Sequence, residues 1–263
     1  MRWIRFSAAG RTAYGILEGD KVVEVNGDPF VGYERSGRVH DFSAVRLEVP
    51  VIPPTFYAAG KNYVAHAIKA AQAHGRAPDI PKKPDIGYRA NNALIAHNEP
   101  VVIPFDATEQ MKYEGELVVV IGKKAKHLSE SEALGCVLGY TIGNDISERG
   151  WQYEDRTFWR SKNSDTFKPM GPWIETDVDL DKMETIVRLN GAEQLRFPTN
   201  EMVFGVATYI SAITRYLTLY PGDVIWMGTD GTSPNIKPGD VVEVEISGVG
   251  TLRNPFVKGG PND

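Results

Sequence analysis

The chain has 263 residues, 42% of them hydrophobic and 24% charged, with a formal net charge of −5, the balance of an ordinary globular protein. The acidic total argues against nucleic acid, which needs a basic face, and against an anionic membrane surface as partners. No apolar run approaches the ~20 residues of a membrane span, and the single cysteine, Cys136, excludes an internal disulfide and a Cys-rich zinc site.

The N-terminus, Met1-Arg2-Trp3-Ile4-Arg5-Phe6, alternates charged and apolar residues and reads as a strand rather than a signal peptide, which makes the cytoplasm the expected compartment. Trp3–Ser7, Thr12–Leu17 and Val22–Val25 are β-prone runs separated by Gly10-Arg11 and Gly19-Asp20, turn signals at hairpin spacing. Pro50 and Pro53-Pro54 then form a stiff connection. The expected division is a small N-terminal β domain, 1–50, and a second domain, 51–263.

After Phe56-Tyr57-Ala58-Ala59-Gly60, the Ala-rich stretch Tyr63–His74 predicts a helix that stops at Gly75. Arg76–Asp85, with Pro78, Pro81 and Pro84, reads as a polar surface loop or lid. Ala93–Ala96, Val101–Ile103 and the strongly apolar Leu117–Ile121 are strand-like. Ser129 and Glu132 form a capping box for a short helix. Cys136 is expected buried and inert. Tyr140–Ile142 and Trp173–Glu175 read as strands, and Thr199 is expected to cap a helix whose apolar face carries Met202, Val203, Val206, Tyr209, Ile210 and Ile213. Two Pro-Gly-Asp turns, 221–223 and 238–240, each launch a strand, and Gly248-Val249-Gly250 reads as a hairpin. Strands dominate, so the fold class is α+β with a rolled or sandwiched sheet.

Glu114 and Glu116 flank Gly115 just before Leu117-Val118-Val119-Val120-Ile121. Residues two apart in a strand share a face. Two like charges at the edge of a dry core are costly, and a divalent cation offsets that cost. A solvated strand end, with the glutamates paired to Lys112 or Lys123, accounts for the same spacing, and spacing does not decide between the two. Asp145, at the end of Gly139-Tyr140-Thr141-Ile142-Gly143-Asn144, is placed to complete an all-oxygen set suited to Mg²⁺ or Mn²⁺, with Ca²⁺ as a further candidate.

Several stretches resemble the fumarylacetoacetate hydrolase family: Tyr113 to Lys123 around Glu114 and Glu116, Gly139 to Ser147, Asp165 to Trp173, Pro221 to Ile225, Gly228-Thr229, and Gly248 to Asn254. The resemblance runs from about Gly60 to Phe256 and extends to the N-terminal β unit. It implies a mixed β-sandwich roll, a homodimer, a divalent metal, and action on 2-oxo or 2,4-dioxo acids by C–C hydrolysis, decarboxylation or isomerisation through a metal-stabilised enolate. Carried over by position, it implies Glu114, Glu116 and Asp145 as metal ligands. Arg149, Gln152 and Thr229 would bind substrate, and Lys162 would be the active-site lysine. Read from composition alone, Arg149 and Lys162 are surface charges on a polar loop that also carries Arg156, Arg160 and Lys168.

One departure bears on the reaction. Hydrolytic members follow Gly-x-Asn-Tyr with His-x-x-Glu, whereas this chain has Gly60-Lys61-Asn62-Tyr63 followed by His66 and Lys69. A lysine neither orients His66 nor stabilises its protonated form. His66 is therefore expected to act as a neutral base, with Glu148 or Glu154 as a substitute acid. The expected function is a metal-dependent C–C hydrolase of an acylpyruvate or fumarylpyruvate. The alternatives are a decarboxylase or tautomerase of a 2-oxo dicarboxylate, and a non-catalytic dicarboxylate-binding protein.

Overall fold

In the computed structural model the described residues are 1–73, 75 and 77–261, with the side chains of His66, Lys69, Ala70, Gln72 and Ala73 outside the description. Among them the strands form a sheet of 12, a sheet of 5 and a sheet of 2. The N-terminal hairpins form where the turn signals place them: Arg2–Ala8, Arg11–Glu18 and Lys21–Asp28 pair in succession. A fourth strand, Gly32–Asp41, extends the edge. Its mostly polar, exposed residues give no period-2 signal. Its anchor is the buried carboxylate of Glu24, which accepts from Arg38 Nε and contacts His40 Nε2, each at 2.9 Å.

The large sheet continues without a break from the N-terminal strands into the rest of the chain, with Arg2 opposite Glu175 and Trp3 opposite Ile174. Its order runs from Lys168–Glu175 through Val137–Asn144, Gly115–Ile121 and Val224–Trp226 to Phe56–Ala59 and Ile86–Tyr88. All seven residues of Gly115–Ile121 are buried. On one face Leu117, Val119 and Ile121 join a core with Val187, Val244 and Leu252 of the five-stranded sheet. On the other, Val118 and Val120 pack with Trp226, Met170, Ile174 and Trp3. Burial on both faces explains the unbroken apolar run in the sequence. The result is an α+β fold with a mixed β-sandwich roll.

The predicted helix after Gly60 is present as Val64–Ala73. The Ser129–Glu132 capping box opens a single helical turn, Glu130–Ala133. The two Pro-Gly-Asp turns launch Val224–Trp226 and Val241–Ile246, and their aspartates accept backbone N–H groups from Thr55 and Tyr220 and from Lys237. Cys136 is buried and donates to Ala133 O. The helix expected from Thr199 begins later, at Val206, with Gly205 as its cap. Thr199 instead shares a buried hydroxyl contact with Thr185 at 2.7 Å. Residues 202–204 are held away from helical geometry by Asn62, whose carbonyl accepts from Val203 N (2.7 Å) and whose side chain accepts from Phe204 N (3.0 Å).

Gly143 lies across from Glu116 in the register of the central strands. A Cβ there would stand 2.6 Å from the Trp226 ring, so the ring and the strand depend on the missing side chain. Gly143→Ala should destabilise the protein by about 2 kcal/mol through overpacking. Urea unfolding checks this, and a change below about 0.5 kcal/mol would contradict the close approach.

Candidate metal centre and active site

The antiparallel register of Gly115–Ile121 with Val137–Asn144 sets the site. Gly115 pairs with Asn144, so Glu114 and Asp145 lie just beyond the paired ends. Asp145 N donates to Glu114 O at 2.9 Å, and Asn144 Oδ1 accepts from Glu114 N at 3.0 Å. Glu116, two residues on, reaches the same place, and each of the three carboxylates offers an oxygen within 4.8 Å of the others. All three are buried, with Asp145 only 1% exposed. The solvated strand end is thereby ruled out: Lys112 and Lys123 pair with neither glutamate among the described residues.

Four cationic side chains surround the three acids. Lys162 Nζ bridges Glu114 Oε2 (2.8 Å) and Asp145 Oδ2 (2.7 Å). Arg89, directly after the Ile86–Tyr88 strand, donates to Asp145 through Nη2 (2.8 Å) and Nε (3.2 Å). Lys168 Nζ lies 2.8 Å from Asp145 Oδ1 and donates to the carbonyls of Ile146 and Phe167. Arg149 Nη2 contacts Glu114 Oε1. Arg149 also donates to Gln152 Oε1 at 2.5 Å, as residues three apart on one helical turn can.

The electrostatic consequences differ for each acid. Burial raises the pKa of Asp145, yet Arg89, Lys162 and Lys168 outweigh it and hold the group well below the usual carboxylate range. Burial, then the charges of Asp145 and Glu114, push Glu116 up to about 8. Among the described residues no lysine or arginine comes within ion-pair distance of Glu116, and it accepts instead from Gly228 N at 2.8 Å. A buried carboxylate raised by two others is the chemistry a divalent cation corrects, and a hard all-oxygen donor set suits Mg²⁺, Mn²⁺ or Ca²⁺. The residues present fit the group.

The trio stands in the wall of a cavity of about 800 Å³. Arg149, Gln152, Lys162 and Thr229 line it, so the structure brings these four expected positions together with the three acids. Lys162 is 7% exposed and is not a surface charge. His66 and Lys69 lie in the Val64–Ala73 helix, but their side chains are outside the described residues. Asn62 and Tyr63 of the preceding motif act as a clamp: Asn62 Nδ2 donates to Met227 O (2.9 Å) and Tyr63 Oη to Thr199 O (2.6 Å). The two acids expected to substitute for the missing glutamate are engaged elsewhere. Glu148 caps the Arg149–Glu154 helix by accepting from Trp151 N and also contacts Thr108, while Glu154 pairs with Arg160.

Sequence reasoning missed Arg89 and misread Lys168. Arg89 follows a Pro-rich segment that reads as a polar loop. Lys168 was expected among loop charges but is fully buried, and burial lowers its pKa to about 8 despite Asp145. Its place at the head of Lys168-Pro169-Met170-Gly171-Pro172-Trp173-Ile174, an otherwise uncharged stretch, was the available signal.

Residues 55–257 match the family described as Fumarylacetoacetate (FAA) hydrolase C-terminal, and residues 1–50 match Rv2993c-like, N-terminal. The chain belongs to the fumarylacetoacetate hydrolase family, whose enzymes include hydrolases, isomerases and decarboxylases that depend on a divalent metal. It is 34% identical to Protein Rv2993c of Mycobacterium tuberculosis, covering 99% of both chains. It is 33% identical to 2,4-didehydro-3-deoxy-L-rhamnonate hydrolase of a Sphingomonas species, covering 96% of this chain and 95% of the relative. Among solved structures it resembles 2-hydroxyhepta-2,4-diene-1,7-dioate isomerase from Mycobacterium marinum, with a TM-score of 0.88 and 35% identity over 99% of both chains. No helix among the described residues is long and apolar enough to cross a membrane.

Replacing Lys168 by Met removes one of three cations from Asp145 while keeping the side-chain volume. Unfolding in denaturant should show a loss of about 3 kcal/mol, the cost of breaking a buried ion pair. A loss below about 1 kcal/mol would mean that Lys168 contributes no more than a surface pair.

Proposed function

We propose that the protein is a divalent-metal-dependent hydrolase that cleaves a C–C bond in a 2,4-dioxo acid of the acylpyruvate or fumarylpyruvate type. The observation that supports this most is the trio Glu114, Glu116 and Asp145 with Lys162 bridging two of them at the wall of a cavity. Glu114, Glu116 and Asp145 are the proposed holders of Mg²⁺ or Mn²⁺, with Ca²⁺ as a further candidate. When bound, the cation supplies Lewis acidity toward the oxygens of a 2-oxo acid.

The chain's own groups do the rest. Arg149 and Thr229, with Gln152 fixing the Arg149 guanidinium, are the proposed substrate-binding groups. Lys162 holds positive charge beside the carboxylates, where it stabilises negative charge that builds up on the cleaved substrate. His66 is proposed, on sequence grounds, as the base that takes a proton from water. Water then adds to the 4-carbonyl, the bond between C3 and C4 breaks, and a proton returns to C3. An acylpyruvate so cleaved gives pyruvate and a carboxylic acid.

A second reading is decarboxylation or tautomerisation of a 2-oxo dicarboxylate, which needs no activated water. The engagement of Glu148 as a helix cap and of Glu154 with Arg160 favours it, since these are the two acids expected to stand in for the missing glutamate. We further propose a homodimer in the cytoplasm, with residues 1–50 as a β domain and 51–263 as the catalytic domain. The family matches, which end at 50 and resume at 55, support that division.

The test is an assay of acetylpyruvate, oxaloacetate and a fumarylpyruvate with Mg²⁺ or Mn²⁺. Hydrolysis predicts pyruvate and acetate from acetylpyruvate, loss of activity with chelator, and a fall in kcat on the order of 100-fold in Lys162→Met. Conversion of oxaloacetate without cleavage of acetylpyruvate would establish the second reading. Ligand binding with no turnover of any of the three would reject both in favour of a binding protein.

A further inference from the structure

The cations that surround the metal trio each touch a carboxylate. Lys112 does not. It ends the short strand Met111–Lys112, opposite Ser147, two residues before Glu114. Its Nζ donates to the backbone carbonyl of Ser233 at 2.6 Å. An ammonium has three N–H donors, so this neutral contact leaves two of them open to the cavity and the charge without a carboxylate partner among the described residues. Lys112 is half-buried and lines the same cavity as Glu114 and Arg149. The acids of that wall beyond the trio, Asp79, Asp85 and Asp230, make no ion pair with it among the described residues. Thr232 and Ser233 line the cavity beside it and add hydroxyls of the kind that accompany a carboxylate. Extended chain rises ~3.3 Å per residue, which sets Lys112 about 7 Å along the wall from Glu114.

A positive charge in a cavity wall with no carboxylate paired to it is a receptor for an anion. We infer that Lys112 is a specificity-determining residue that receives the distal carboxylate of a substrate whose 2-oxo acid end lies at the carboxylate trio. The enzyme therefore prefers diacids, of the fumarylpyruvate rather than the acylpyruvate type. This inference rests on the proposed function and narrows its substrate class. Arg89 does not take this role, because it already holds Asp145, and Arg149, beside Glu114, is the proposed binding group for the 2-oxo acid end.

The test is calorimetry on Mn²⁺-loaded protein with 2-oxoadipate and 2-oxohexanoate, a diacid and a monoacid of equal length. Wild type should bind the diacid about tenfold more tightly. Lys112→Met should bring the two affinities within about twofold, and Lys112→Arg should restore most of the preference. A general loss of packing would lower both affinities and leave their ratio unmoved. Equal affinities in wild type, a preference that survives Lys112→Met, or binding of neither ligand overturns the inference. Turnover of acetylpyruvate, which has no distal carboxylate, reports on the underlying functional reading alone and separates the two failures.

Discussion

Three carboxylates in a dry pocket repel one another, and the surrounding structure is arranged to offset that repulsion unequally. Asp145 is contacted by Arg89, Lys162 and Lys168, and Glu114 by Lys162 and Arg149. Among the described residues Glu116 accepts a backbone N–H, from Gly228, and pairs with no lysine or arginine. Fixed cations therefore hold Asp145 ionised and orient Glu114, whereas the raised pKa of Glu116 is one that a divalent ion would lower. A divalent ion bound by the trio adds positive charge beside Arg149 and Lys162, which favours an anionic substrate over a neutral one.

The fold produces this arrangement through one strand pairing. Gly115–Ile121 is buried on both faces, so its register against Val137–Asn144 is fixed by packing rather than by turn geometry. A slip of one residue would exchange the faces of Glu116 and Leu117. Gly143 admits the Trp226 ring at the point opposite Glu116, and the strand carrying Trp226 leads directly to Gly228, whose amide meets the Glu116 carboxylate. The cations come from separate segments: Arg89 after an edge strand, Arg149 on a single helical turn, Lys162 in a run of turns, and Lys168 at a strand start. Catalytic chemistry at the ends of rigid strands, with loops supplying the charge, is the economy expected of a buried site.

Much of this was legible in the sequence where local patterns carry the information. The apolar run after Glu116, the N-terminal hairpins and the Pro-Gly-Asp turns declare themselves through spacing, whereas the acid trio is legible only through the family resemblance, since its spacing fits a solvated strand end equally well. Gly32–Asp41 did not, because its anchor is the buried Glu24 on the neighbouring strand and its own residues are polar. The start of the helix at Val206 was displaced from Thr199 because Asn62, 142 residues before Phe204, holds the intervening segment. Lys168 and Arg89 look like ordinary surface charge until the sheet folds them against Asp145. Each failure has one cause: a polar side chain whose role is set by a partner far away in sequence.

The central claim is that Glu114, Glu116 and Asp145 form a single divalent-cation site whose binding depends on the carboxylate of Glu116, which pairs with no lysine or arginine among the described residues. Titration of the protein with Mn²⁺, followed by electron paramagnetic resonance of the free ion, tests it most directly. The account predicts one bound Mn²⁺ per chain, and loss of that binding by a factor on the order of 100 in Glu116→Gln. Undiminished Mn²⁺ binding by Glu116→Gln, or no stoichiometric binding by the wild type, would contradict it.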